Sequence, residues 1–139
     1  MYLIAFPLLL IPFVLYNMVT LLLNLEFNTT VFSISLLSGT SMNVSTGDTL
    51  VILGVILLYI EILKATRLSS KAIIDHVLSF VLLIAMVAEF IMVERAATST
   101  FLILMSLSFV DVIGGFTVSI RTARRDISLE RGEHLATHG

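Results

Sequence analysis

Four apolar stretches divide the chain, at about residues 3–23, 48–66, 72–93 and 99–121, with polar or turn-rich connections between them. Each approaches the 20 or so residues that an α-helix needs to cross the hydrocarbon core of a bilayer. The pattern predicts an all-α membrane protein, a four-transmembrane-helix bundle over residues 1–125, followed by a polar cytoplasmic tail at 126–139 with no apolar period of its own. Between the first two stretches, Phe32, Ile34 and Leu36 alternate with Ser33 and Ser35, and Met42 and Val44 alternate with Ser41, Asn43 and Ser45. A period of two on both sides of Ser38-Gly39 predicts a short β-hairpin over about residues 29–46.

The helical stretches have distinct faces. In the fourth, Ser108, Gly115, Ser119 and Thr122 fall within about 80° of Asp111, which makes one side small and polar. Such a side suits a neighbouring helix better than lipid, so Ser108, Gly114, Gly115 and Ser119, with Gly54 of the second stretch, are the expected packing positions. Gly47, Gly54, Leu58, Glu61 and Ala65 share a face of the second helix, whose start offers Ser45 or Thr46 as a cap and Asp48 for the positive end of the helix dipole. In the third, Asp75, Ser79, Leu82, Met86 and Glu89 step by four and three and form one stripe. The first contains Pro7 and Pro12, and its one strongly polar side chain, Asn17, is expected to hydrogen-bond to another helix.

At 58% hydrophobic and 13% charged residues, with a mean hydropathy of +1.06, the chain lies outside the range of soluble globular proteins. Cysteine is absent, which excludes disulfides and thiolate chemistry. No basic patch is interleaved with aromatics, so no nucleic-acid partner is expected. The first connection carries no Lys or Arg, the second has Lys64, Arg67 and Lys71, and the C-terminal stretch has Arg121, Arg124, Arg125 and Arg131. The positive-inside rule then places both termini and the second connection in the cytoplasm and the hairpin outside, with Lys64, Arg67, Lys71, Arg121, Arg124 and Arg125 at the membrane surface. Without a basic start and a small-residue cleavage pattern, the first stretch reads as a retained helix.

The candidate chemistry lies in Glu61, Asp75, His76, Glu89 and Asp111. Glu61 precedes the second connection by about as many residues as Asp75 and His76 follow it, so these three should share a depth; Glu61 can also pair with Lys64, three residues on. This layer reads either as a charge network pinning the second and third helices together or as a proton or cation entry. Asp111 stands near the middle of its stretch, at an expected cost of about 2.5 to 3.5 kcal/mol for a central aspartate. Tyr16, Tyr59, Ser79 and Ser108 are its candidate partners; a bound proton, or a basic residue from another subunit, are the alternatives. No spacing points to a metal site, a cofactor or an intramembrane catalytic constellation, so no enzyme is expected.

The strings GDTLVILGVILLYIEILKATR, AIIDHVLSFVLL and FVDVIGGFTVSIRTARRD resemble a family of small four-helix inner-membrane proteins of alphaproteobacteria. That resemblance implies a bacterial plasma membrane and brings no activity with it. Two functions fit the residues. The first is a non-catalytic accessory subunit or assembly factor that contacts other integral membrane proteins or copies of itself. The alternative is a small oligomeric proton-coupled transporter or channel using Asp111.

Overall fold

The computed structural model describes residues 6–24, 26–67 and 70–138. Its elements are α1 (Leu10–Asn17), which runs on as a π-helical turn over Met18–Leu22, then β1 (Thr30–Ser35), β2 (Ser41–Ser45), α2 (Thr46–Lys64), α3 (Ser70–Met92) and α4 (Ser99–His138), with a 3-10 turn at Glu94–Ala96. The result is a mostly helical bundle with a small antiparallel hairpin. Three of its helices, α2, α3 and α4, are long and apolar enough to cross a membrane.

The first helix is shorter than expected, and the cause is proline. Residues 1–5 of the expected span lie outside the described residues, and Phe6–Leu9 form turns rather than a helix. Helix α1 starts so that Pro12 falls in its first turn, where its missing N–H would have no partner in any case. From Leu10 to Leu22 the helix covers only about 20 Å at 1.5 Å per residue, less than a bilayer core.

Helix α4 is longer than expected. The tail from residue 126 continues the helix to His138 instead of leaving it, which corrects the reading of a polar segment without an element. Six of its thirteen residues, Leu129, Glu130, Arg131, Glu133, Leu135 and Ala136, are good helix formers, so intrinsic propensity supports the helix where no apolar period exists.

The remaining elements fall where the pattern put them. Helix α2 opens with a capping box: the Ser45 hydroxyl accepts from the Asp48 N–H, and the Asp48 carboxylate accepts from the Ser45 N–H. In the hairpin, Phe32 pairs with Val44 and Ile34 with Met42, while Ser33 pairs with Asn43 and Ser35 with Ser41, so one face is apolar and the other polar. Gly39 takes φ +87° in the turn, a conformation that suits glycine.

The core runs along the inner faces of the helices and includes Leu9, Tyr16, Leu50, Leu82, Met86, Phe101 and Leu104. On α3 the buried positions are Ala72, Asp75, Ser79, Leu82 and Met86, with Glu89 half-buried, so the stripe read from spacing is buried and extends one turn back to Ala72. Gly54 lets α4 approach α2: a Cβ there would stand 2.9 Å from Leu107 Cδ1 and 3.2 Å from Leu104 Cδ2. Gly114 does not pack, since a Cβ there would meet nothing within 4 Å; it is Gly115, one position on, that faces the bundle.

Most other apolar side chains on the helices, such as Ile52, Ile56, Val81, Ile84, Phe109 and Ile113, are exposed.

Candidate functional site: a buried carboxylate cluster

The end of the bundle remote from the hairpin holds the chemistry. Lys64, in the last turn of α2, turns inward rather than toward the surface, and only 12% of its side chain is exposed. Its ammonium donates to the Phe6 carbonyl at 2.7 Å and to Glu61 Oε1 at 2.9 Å, and stands 3.4 Å from Asp75 Oδ2. Glu61 Oε1 also accepts the Leu8 N–H at 2.8 Å. The three charges therefore clamp the segment before α1 onto α2 and α3. Its backbone supplies the acceptor and donor that draw Lys64 inward, in place of the expected surface position.

His76, on the next position of α3, reaches α4 instead. Its Nε2 lies 2.7 Å from Ser119 Oγ, and the Ser119 hydroxyl donates to the Ala65 carbonyl at 3.0 Å. With its own proton spent on Ala65, Ser119 accepts from His76, which assigns the Nε2–H tautomer from the network. Gly115 makes the space: a Cβ there would lie 3.2 Å from His76 Cε1. Phe116 flanks the ring, with centroids 5.2 Å apart.

Asp111 sits one helical turn before Gly115, about 6 Å along the axis, and is 4% exposed. It faces into the bundle, so a basic residue of another subunit is not what compensates it. Among its expected partners, Ser79 on α3 supplies the hydroxyl that the carboxylate engages, and the charges of Glu61 and Lys64 act on it as well. The others do not serve it: Tyr59 is exposed, Ser108 Oγ, one turn back on α4, is buried with no hydrogen-bond partner among the described residues, and Tyr16 bonds at the opposite end. Asp111 thus adjoins the Glu61–Lys64–Asp75 cluster rather than standing alone at mid-depth.

Two carboxylate oxygens of the cluster, Asp75 Oδ1 and Asp111 Oδ2, are buried and make no hydrogen bond among the described residues. Buried polar groups are nearly always paired, so each orphan marks a place where a proton or another species completes the structure. Among the described residues, no three His, Asp or Glu side chains are arranged to hold a metal ion.

Glu89 lies outside this cluster. Its Oε2 accepts from Asn17 Nδ2 at 3.3 Å, the interhelical bond expected of Asn17. Arg67, Arg121, Arg124 and Arg125 are exposed, while the Lys71 side chain lies outside the described residues.

A second polar arrangement, which the sequence did not signal, closes the hairpin end. Phe101 N–H donates to Thr98 Oγ1 at 3.2 Å, and Tyr16 OH bonds both Thr98 Oγ1 at 2.7 Å and the Arg95 carbonyl at 2.9 Å. Phe27 stacks on the Tyr16 ring with centroids 4.4 Å apart. The partners lie some 80 residues apart in the chain, and the Tyr16 hydroxyl, a candidate for Asp111 by spacing, is used here instead.

No family model matches the chain, and no curated protein or solved structure matches it either.

Proposed function

We propose that this is a small integral membrane protein, seated in a bacterial inner membrane with both termini cytoplasmic, whose bundle binds and releases a proton at the Asp75–Asp111 cluster in the manner of a small proton-coupled transporter or channel. The membrane assignment rests on three long apolar helices whose outward side chains are exposed, a surface that water disfavours and lipid accepts. The proton assignment rests on one observation: the buried carboxylates Glu61 and Asp75 share a single ammonium, Lys64, the buried Asp111 carboxylate has no ion pair of its own among the described residues, and Asp75 Oδ1 and Asp111 Oδ2 have no hydrogen-bond partner among them. An uncompensated charge is costly in an apolar interior, and a bound proton removes it while converting an orphaned acceptor into a donor. His76 adjoins the cluster and can pass a proton on.

The test is proton flux in vesicles reconstituted with the purified protein, compared with Asp111→Asn, which keeps the shape and removes the exchangeable proton. Flux that falls at least tenfold supports the reading; flux unchanged in the variant, or absent in the wild type, removes it.

A second reading, an accessory subunit or assembly factor, has its own support in the hairpin. All six residues of β1 are exposed, including Val31, Phe32 and Ile34, and a two-stranded hairpin is marginal in water unless something covers it. A stoichiometric partner that co-purifies from native membranes, and is lost when residues 31–43 are replaced by a Gly/Ser linker, supports this reading.

A further inference from the structure

No residue from 27 to 47 is charged, whereas the other two connections carry Lys64, Arg67 and Lys71 or Glu94 and Arg95. On the apolar side of the hairpin in this segment, Phe32, Ile34 and Met42 are exposed, and only Val44, at the base, is buried. The turn closes through the Leu36 N–H, which donates to the Thr40 carbonyl at 2.8 Å, and the Leu36 carbonyl, which accepts from the Gly39 N–H at 3.0 Å. That leaves Leu36 exposed and Leu37, at the tip, fully so. Turns favour Gly, Asn, Asp, Ser and Pro, so two leucines at a tip answer to something outside the chain. Strand edges that face water are usually guarded by charge or proline, and this hairpin has neither. Its position is fixed as well. Ser45 ends β2 and caps α2 without a linker, and the first residues of α2 extend the pairing: Thr46 N–H donates to the Thr29 carbonyl at 2.8 Å and Gly47 N–H to the Phe27 carbonyl at 3.0 Å. A Cβ on Gly47 would stand 2.6 Å from Thr100 Oγ1, so the base of the hairpin also abuts the start of α4.

We propose that the hairpin lies on the lipid surface beside the bundle, with Phe32, Ile34, Leu36, Leu37 and Met42 seated where headgroups meet acyl chains. This rests on the membrane reading above, in which the level where α2 and α4 begin is the headgroup layer. The depth is bounded on both sides. Among the described residues, the outer edges of β1 and β2 pair with no further strand, and their free N–H and C=O groups are tolerated among hydrated headgroups but not in hydrocarbon. The polar side, where Ser33 Oγ donates to Asn43 Oδ1 at 2.6 Å, faces water. An apolar face at that boundary with a polar face above it is how interfacial segments bind a bilayer. Lipid fits this face better than a second protein does. Charges set register and partner choice across a protein interface, and this face offers none; an uncharged face enters lipid without desolvating a charge.

The chain contains no Trp, so a single introduced Trp reports its own surroundings by fluorescence. Full-length Leu37→Trp, Ile34→Trp, Ser35→Trp and Phe109→Trp are each reconstituted in phosphatidylcholine vesicles whose acyl chains are unlabelled, brominated near the headgroup or brominated near the chain end, and far-ultraviolet circular dichroism checks that each keeps the helical content of the wild type. Phe109 is exposed on α4 within its apolar span and reports the insertion of the bundle itself. Leu37→Trp and Ile34→Trp are expected to give blue-shifted emission quenched more by the shallow bromines than by the deep ones, and Phe109→Trp to show the reverse order. Ser35→Trp, on the polar side, is expected to keep the emission of a water-exposed indole. If Phe109→Trp is quenched while Leu37→Trp and Ile34→Trp emit as in water, the hairpin stands clear of the bilayer and the proposal is overturned. Blue-shifted emission at those two positions that neither bromolipid quenches means that a second copy of the chain covers the face, which also overturns it. Equal quenching of Ile34→Trp and Ser35→Trp overturns the one-sided placement. Phe109→Trp unquenched by either lipid removes the membrane reading, and this proposal with it.

Discussion

Lys64 Nζ lies 2.9 Å from Glu61 Oε1, one turn back on the same helix, and this pair is sealed from solvent by a chain segment more than fifty residues away. An i,i+3 pair on a helix surface contributes only a few tenths of a kcal/mol. Buried, with Asp75 as a third member, it becomes a joint between α2, α3 and the segment before α1. Losing the ammonium leaves carboxylates unpaired in an apolar interior, where the cost is far larger.

Replacing Lys64 by Met should therefore destabilise the protein by about 3–5 kcal/mol, the usual effect of breaking one side of a buried pair. Arg67→Gln, in an exposed position nearby, should stay within about 0.5 kcal/mol of wild type. Thermal unfolding of both variants in the same detergent compares them directly.

The His76–Ser119–Ala65 chain should be sensitive to small changes on α4. Ser119→Ala leaves the His76 Nε2–H without its acceptor and should cost about 1–3 kcal/mol. Gly115→Ala forces the imidazole aside, because its new Cβ would lie 3.2 Å from the ring. In both variants the His76 ring resonances should shift in NMR spectra of selectively labelled protein, whereas Gly114→Ala should leave them in place.

At the other end, Tyr16→Phe removes the hydroxyl that joins α1 to Arg95 and Thr98 and should cost about 1–2 kcal/mol. The Phe27 stacking survives that change, so the loss should be visible as a lower unfolding midpoint while the far-ultraviolet circular dichroism keeps the helical content of the wild type.

At the hairpin junction, Ser45→Ala should cost about 1 kcal/mol through loss of the N-cap of α2. Hydrogen exchange should quicken in the first turn of α2 and in β2 while α3 and α4 stay protected, because the cap ties those two elements alone.

Much of the bundle is legible in local pattern. The Asp75-to-Glu89 stripe, the Gly54 contact, the inward side of α4, the Ser45 cap and the hairpin register all follow from spacings of two, three or four residues, which periodicity captures. Three features are not legible, each for a physical reason. The length of α1 depends on where Pro12 settles in the first turn. The inward turn of Lys64 depends on the backbone of Phe6 and Leu8, contacts that no local window contains. The proximity of Asp111 to the charged cluster depends on the stagger of α3 against α4, which places Ser79 opposite Asp111 and His76 opposite Gly115. Counting residues from the span ends instead separates Asp111 from the cluster.

The central claim is that the Glu61–Asp75–Asp111 cluster holds an exchangeable proton, and infrared spectroscopy of the protein purified in maltoside detergent, which has no ester carbonyl of its own, tests it most directly at neutral pH. Exposed carboxylates are ionised under those conditions, so the carbonyl stretch of a protonated carboxylic acid reports the buried groups alone. The account predicts that this band is present, moves on exchange into deuterium oxide, and is diminished in Asp111→Asn or Asp75→Asn. A spectrum without the band would show all three carboxylates ionised and would contradict the account.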